Sequence, residues 1–373
     1  MKVLILSGLF YPSKLGGPAN TLFWLTKALS NNNIDVSVVT SNNFIDDETI
    51  VCNKWTIVDK TRVRYCSAKT KLPYRLIIFS IKELLKCDVL LLSSFFYRPN
   101  FFVALFAFIA RKKIIWSPRG ELFDSATKGN KIKIFYIQIH KLLFTHKVIY
   151  HATSSDERDS IKECLGINSK IVIIPNYMEL PYKHNRICDK GKYLLYVGRI
   201  APIKAIDKLL LGLSKSISFM QSEFKLLIAG SVQKQFEEYY EQLNLFLNEN
   251  RLLKEKIIFL GGVEGSEKYK LYANAYFTFL VSYSENFGNV VIESLSQGTP
   301  VIASKGTPWQ ILEKENSGYW IDNGSDNIAL YVDKIINISK DLYQEQRNNA
   351  YKLANRFDVY SNIDKWINVL RND

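Results

Sequence analysis

Short apolar runs alternate along this chain with longer stretches in which apolar residues recur every three or four positions. The short runs fit strands buried on both faces, the longer ones fit amphipathic helices, and their alternation is the mark of parallel sheets covered by helices. Residues 3–6 read as a first buried strand, 8–18 as a loop, and 20–29 as a helix on the spacing of Leu22, Leu25 and Leu29. The same pattern places strands at 34–40, 62–66, 88–92, 113–116, 148–152 and 170–174, with helices at 74–85, 101–110 and 131–144. Ser154 and Glu157, three residues apart, have the form of a capping box at the start of a further helix and are read as structural. His151, just ahead of them at a strand end, reads as a core histidine.

Periodicity fails at 179–192, a polar stretch with Pro181, Asn185 and Gly191 that reads as a linker. A second series follows, with strands at 193–197, 225–229, 256–260, 277–281, 300–303 and 319–321. The expected fold is α/β, two doubly wound parallel-sheet (Rossmann-like) domains at 1–178 and 193–355. Residues 341–370 read as helical, anchored by Phe357 and Trp366.

Candidate chemistry gathers in residues 285–303, ENFGNVVIESLSQGTPVIA. Gly288 turns the chain into a helical run at 289–297, which Gly298 stops before Thr299-Pro300 opens a strand. Glu285 lies in the loop before that helix and Glu293 about one turn inside it. The helix N-terminus between them, with its free N–H groups and positive dipole end, is a seat for phosphate. A nucleotide sugar has that layout of sugar, diphosphate and ribose. Spacing alone leaves a plainer reading open, with Glu285 capping a loop and Glu293 solvated on a helix.

Two further loops stand at strand ends. In YVGRIAPIKAIDKLL, Arg199 and Lys204 follow a strand just before a helix, as diphosphate ligands or as solvated charges. In SPRGEL, Arg119, Gly120 and Glu121 stand where open parallel sheets collect ligands, and Arg119 suits a phosphate or a surface salt bridge. The pair Gly16-Gly17 follows the first strand without forming a GxGxxG fingerprint, and serves either close approach to a ligand or a tight turn.

The stretches SYSENFGNVVIESLSQGTPVIAS and YVGRIAPIKAIDKLL together resemble the donor site of family 4 of the glycosyltransferases, retaining enzymes of two-domain GT-B architecture. That family's two glutamates have seven residues between them, as Glu285 and Glu293 do, and Phe287-Gly288, Gly298-Thr299-Pro300-Val301, Gly230 and Gly261-Gly262 also match. Ala205 stands where the family usually has glycine, and Arg119 stands at or beside a histidine that many members carry. The resemblance implies two domains facing a cleft, with residues 356–373 packing back on the first. It implies that Glu293 binds ribose, Glu285 the donor sugar, and Arg199 and Lys204 the pyrophosphate together with the backbone of Phe287, Gly288 and Asn289. Val263 falls near the base, Gly16 and Gly17 count with the donor site, and Arg119, Gly120 and Glu121 lie near the sugar or the acceptor. The activity implied is transfer of a hexose-type sugar from a UDP- or GDP-sugar to a hydroxyl of a lipid-linked or other glycan, in O-antigen or capsule assembly. The nucleotide sugar is substrate, no cofactor is called for, and the lack of an Asp-x-Asp motif argues against an essential metal. A nucleotide-sugar epimerase or phosphorylase of the same fold, a non-catalytic nucleotide-sugar or glycan binder, and a basic membrane-docking scaffold are the alternatives. The four histidines, His140, His146, His151 and His184, form no acid–base constellation that would favour an epimerase.

Composition narrows the rest. A chain of 373 residues, 47% hydrophobic and 23% charged, suits two ordinary globular domains. The N-terminal apolar run is too short for a secretory signal, and the longest apolar stretch, 101–110, is about half a membrane span and suits a buried helix. Five scattered cysteines, Cys52, Cys66, Cys87, Cys164 and Cys188, suit reduced thiols in a cytoplasm. Of the net +13, nearly all lies in the first half: 26 Lys and Arg against 14 Asp and Glu in residues 1–185, but 23 against 22 in 186–373. Such an excess suits nucleic acid, an anionic membrane surface, a phosphorylated substrate, or simply a basic surface. Nothing resembles a nucleic-acid module. Lys112, Lys113, Lys131 and Lys133, expected near the cleft, would suit a lipid diphosphate-linked glycan at the cytoplasmic face of the membrane.

Overall fold

Val3, Leu4, Ile5 and Leu6 are shut off from solvent on both sides in β1 (Lys2–Ser7), the interior position that a continuous apolar strand demands. The computed structural model describes residues 1–13, 17–45, 50–68, 70, 72–186 and 192–372. It divides into two units, Met1–Glu179 with Asp358–Asp373, and Leu180–Phe357.

In the first unit β1 is followed by α1 (Gly17–Asn31), β2 (Asp35–Ser41), β3 (Trp55–Val58), β4 (Thr61–Cys66), α2 (Tyr74–Leu84) and β5 (Val89–Ser93). Then come α3 (Arg98–Ile109), β6 (Lys113–Ser117), α4 (Asp124–Thr127), α5 (Lys131–Phe144), β7 (Val148–Ala152), α6 (Ser155–Leu165) and β8 (Lys170–Ile173). The sheet order is β3-β4-β2-β1-β5-β6-β7-β8. Register is set by the apolar runs, with Val3 opposite Val36 and Val89, and Leu91 opposite Ile115.

The second unit runs β9 (Tyr193–Val197), α7 (Ile206–Lys215), α8 (Ile217–Gln221), β10 (Lys225–Ala229), α9 (Glu237–Glu249), α10 (Arg251–Lys254), β11 (Ile257–Gly261) and α11 (Gly265–Asn274). It continues with β12 (Thr278–Leu280), α12 (Asn289–Ser296), β13 (Val301–Ser304), α13 (Ile311–Lys314), β14 (Gly318–Ile321), α14 (Ser325–Ile336) and α15 (Lys340–Asn355). All six strands are parallel, in the order β11-β10-β9-β12-β13-β14. A last helix, α16 (Val359–Arg371), returns to the first unit and packs on α1.

Several sequence expectations need correction. The first sheet is not wholly parallel, because the unforeseen β3 runs antiparallel to β4 at its edge. None of its four residues is fully buried, which hid it from an apolar-run criterion, and Arg62 and Arg64 held over the Trp55 ring at 4.6 and 5.7 Å tie it down instead. The helical tail consists of two helices: the chain leaves α15 at Arg356, and Asp358 starts α16 by accepting the Ser361 amide at 2.8 Å. Phe357 accordingly stays with the second unit against Trp309, 5.3 Å between ring centroids, while Trp366 lies 4.5 Å from His151 in the first. The capping box is half made. Ser154 Oγ accepts the Glu157 amide, but the Glu157 carboxylate turns away to Thr153 and Gly120. Lys112 precedes β6 and Lys113 is its first residue, both at the opposite end of the strands from the loops that follow them, and the Lys113 ammonium donates to the Asn372 carbonyl. Lys131 and Lys133 begin α5, downstream of the loop after β6. Cys52, Cys66, Cys87 and Cys164 are unbonded, and Cys188 lies outside the described residues.

Candidate active site

In the second sheet the chain builds outward from β9 to β10 and β11, then returns to the other side of β9 with β12. Loops leaving β9 and β12 therefore diverge, and the gap they open beyond the strand ends is where such sheets bind ligands. Arg199 and Lys204 lie on the first of these loops, Glu285, Phe287 and Gly288 on the second, and Asn289 begins the helix that follows.

The loop after β9 is held down by its neighbours. Gly198 donates its amide to the Ala229 carbonyl at 3.0 Å, and a Cβ added at Gly230 would sit 1.8 Å from the Gly198 oxygen, so two main chains touch where only glycine fits. Beyond it a single 3₁₀ turn at Pro202–Lys204 ends in Ala205, whose φ of 53° is left-handed. An L residue there is strained by about 1–2 kcal/mol, the physical reason a glycine suits this position. The turn aims Lys204 at Glu285, where the ammonium pairs with Oε1 while the Ser282 hydroxyl donates to the same oxygen at 3.0 Å. Tyr283 donates its amide to the Ile203 carbonyl at 2.9 Å, stitching the two loops together. Arg199 is exposed, and its carbonyl accepts the Tyr196 hydroxyl, a phenol that burial holds far above its ordinary pKa.

The loop after β12 enters α12 through Gly288, at φ 84° with Leu280 so close that a Cβ would meet it at 2.6 Å. Phe287 is a packing residue: its ring is buried against Trp309 and Phe357, and its carbonyl accepts the Trp309 indole N–H. Only its backbone remains for a ligand, beside a helix N-terminus whose dipole favours an anion. Glu293 is buried inside α12, where Oε1 takes the Lys268 ammonium at 2.8 Å and Oε2 the Tyr272 hydroxyl at 3.0 Å. Burial, followed by the Glu293 charge, holds that phenol protonated. Lys268 and Tyr272 went unnoticed in the sequence, yet they stand four apart on α11 and so share one helix face. Val263, on the loop after β11, and Val290 both pack against the small apolar cluster of Leu195, Val197, Ala229, Tyr272 and Ala275, which brings the third loop to the same side of the sheet.

The remaining candidates lie in the first unit. Gly16 falls outside the described residues, and Gly17 is the first residue of α1. Arg119 is left-handed at φ 60°, its Nη1 donates to Asn176 Oδ1 at 3.0 Å, and loss of water lowers its pKa to about 10 despite the nearby Glu157 charge. It is not the surface salt bridge that its sequence allowed. Gly120 donates its amide to Glu157 at 2.6 Å. The Glu121 carboxylate takes the Ser94 hydroxyl and the Phe95 and Phe96 amides, at 2.7, 2.6 and 2.8 Å, and so holds the loop after β5. His151 is a core residue: its Nε2 donates to the Ile174 carbonyl and its Nδ1 accepts the Ser117 hydroxyl, both at 2.8 Å. Burial drives its pKa down to about 3.

Residues 182–353, nearly the whole second unit, match the family model described as "Glycosyl transferases group 1". This stretch is a group 1 glycosyltransferase domain. An uncharacterized glycosyltransferase of Methanocaldococcus jannaschii is 32% identical over 187 residues, 44% of this chain and 46% of that protein. The chain thus spans about half the length of that relative. An uncharacterized 41.2 kDa protein from the cps region of Klebsiella pneumoniae is 28% identical over 304 residues, 78% of each chain. Among solved structures, Anabaena HepE in complex with UDP and glucose superposes with a TM-score of 0.76 over 98% of both chains at 18% identity. The group 1 domain and the unit that precedes it are therefore the two α/β halves of a GT-B fold. No described helix is long and apolar enough to cross a membrane.

Proposed function

We propose that the protein is a retaining glycosyltransferase that moves a sugar from a UDP- or GDP-sugar to a hydroxyl of a lipid-linked glycan in surface-polysaccharide synthesis. The observation that carries this reading is the Lys204–Glu285 pair, set with Arg199 at the switch point beside the α12 N-terminus. There a diphosphate would meet two cations and a helix dipole. Glu285 would be left to receive sugar hydroxyls, and Glu293, with lone pairs beyond those used by Lys268 and Tyr272, to receive ribose. Donors fixed in place before the reaction stabilise the charge that grows on a departing diphosphate, so the reaction needs no metal in this reading. The diphosphate itself takes the acceptor proton as the new bond forms on the face it leaves. Complexes of HepE with UDP and glucose, and the cps-region relative, support the donor class and the polysaccharide role by likeness.

Thermal shift against UDP, GDP, ADP and their sugar conjugates tests the donor site, repeated with Glu293→Ala and Arg199→Ala. A ligand at 100 times its Kd adds about 2.7 kcal/mol of stability. One nucleotide should stabilise the parent and neither variant, and no response to any of them would overturn the reading. With the donor known, the anomeric configuration of the product by NMR tests retention, and activity unchanged by EDTA tests metal independence.

A further inference from the structure

Three helices of the first unit turn apolar side chains to solvent along their whole length. They lie side by side on one sheet face, α2 against α3, and α3 against α5 through Phe101, whose ring sits 5.6 Å from both Tyr136 and Phe144. Right-handed crossovers into β5, β6 and β7 put all three on the face opposite α1. On α5 the outward stripe is Lys131, Phe135, Gln138 and Leu142, flanked by Ile132. Leu142 is 85% exposed, Ile132 79% and Phe135 67%. Phe102, Phe106 and Ile109 form the corresponding stripe on α3, and Tyr74, Ile78 and the capping Leu85 that on α2. A surface helix ordinarily keeps such residues inward, and so continuous an apolar face marks a surface that meets something apolar.

The charges between the stripes say what that is. Exposed Arg75, Lys82, Arg98, Lys131 and Lys141 are spread over the three helices, whose single acid, Glu83, is buried and paired with Arg62 and Lys86. A second copy would bring the same cations against these and be repelled. We infer that this face docks on an anionic lipid bilayer, with the apolar stripes at the boundary of the acyl chains and the cations among the headgroups. The inference deepens the proposed lipid-linked acceptor and rests on it for its purpose: the unit expected to take the acceptor would be held where that acceptor lies.

Flotation of the full chain with phosphatidylglycerol vesicles and with phosphatidylcholine vesicles tests it, at low and high salt. Binding should be confined to the anionic vesicles and weaken with salt. Lys131→Glu with Lys141→Glu should cost at least about tenfold in partitioning, and Ile132→Ser, Phe135→Ser and Leu142→Ser together a similar loss. All five residues are exposed, and circular dichroism confirms that the variants fold. Failure of the parent to float, equal flotation on neutral vesicles, or variants that float like the parent would overturn the inference. So would a parent that sediments as a dimer dispersed by the three serine substitutions, which would give the face to a second copy. The nucleotide thermal shift reads the donor site alone, so either result can fail without the other.

Discussion

Removing the amino group of Lys204 tests the centre of the proposed site. Lys204 and Glu285 are only 15% and 14% exposed as side chains, and the Ser282 hydroxyl also donates to the paired oxygen. Lys204→Ala therefore strands a mostly buried carboxylate on one neutral donor, and Glu285→Ala strands the ammonium. Breaking a fully buried pair from one side costs about 3–5 kcal/mol, and some access of water to both groups brings the expected cost of each substitution to about 2–3 kcal/mol. The double variant leaves neither charge behind, so it should fall short of the summed cost by about 1–2 kcal/mol. Urea unfolding of the four proteins measures that difference. Binding separates the roles: for whichever nucleoside diphosphate the parent binds, Lys204→Ala should lose about 10- to 100-fold in affinity, the worth of a charge-assisted hydrogen bond. Glu285→Ala, which frees the lysine, should lose none. A coupling below about 0.5 kcal/mol, or a Lys204→Ala protein that holds the nucleotide as tightly as the parent, would refute the reasoning.

Gly230→Ala drives a Cβ into the Gly198 carbonyl, a main-chain collision with no side chain to yield, and should cost about 3 kcal/mol in urea unfolding; a loss under about 1 kcal/mol would show the loops can part. Ala205→Gly relieves a left-handed alanine and should gain about 0.5–1 kcal/mol, read as a raised Tm, and a lowered Tm would contradict the strain. Lys268→Met leaves Glu293 with the Tyr272 hydroxyl alone and should weaken nucleotide binding less than Glu293→Ala does; the reverse order by calorimetry would assign the ribose to the lysine. His140 and His151 are both held down to about 3 by burial, far below an unfolded histidine. The unfolded chain thus binds the extra protons, so their contribution is intact well above pH 6.5 and declines as pH falls towards 3, by about 1.6 kcal/mol for each histidine between pH 6.5 and 5. Urea midpoints of the first unit that stay flat over that interval would contradict it.

The apolar runs that became β1, β5 and β9 were legible because burial on both faces leaves one pattern, and those strands organise both sheets. The candidate residues at the ends of β9 and β12 were legible as a cluster for a related reason: a glycine turn, a helix start and charges at strand ends are local features. The edge strand β3 was not, since a strand with no fully buried residue leaves a weak mark on a periodicity. Partners set by distance were hidden as well. The sequence spelled out Glu285 and Glu293, but only the folded chain brings Lys204 to the first across 81 residues and Lys268 to the second across 25. Likewise the sequence alone determined that the first half is basic. Tertiary structure decided that its apolar residues on α2, α3 and α5 face outward together, because which side of a helix is buried depends on the sheet beneath it and not on the helix itself.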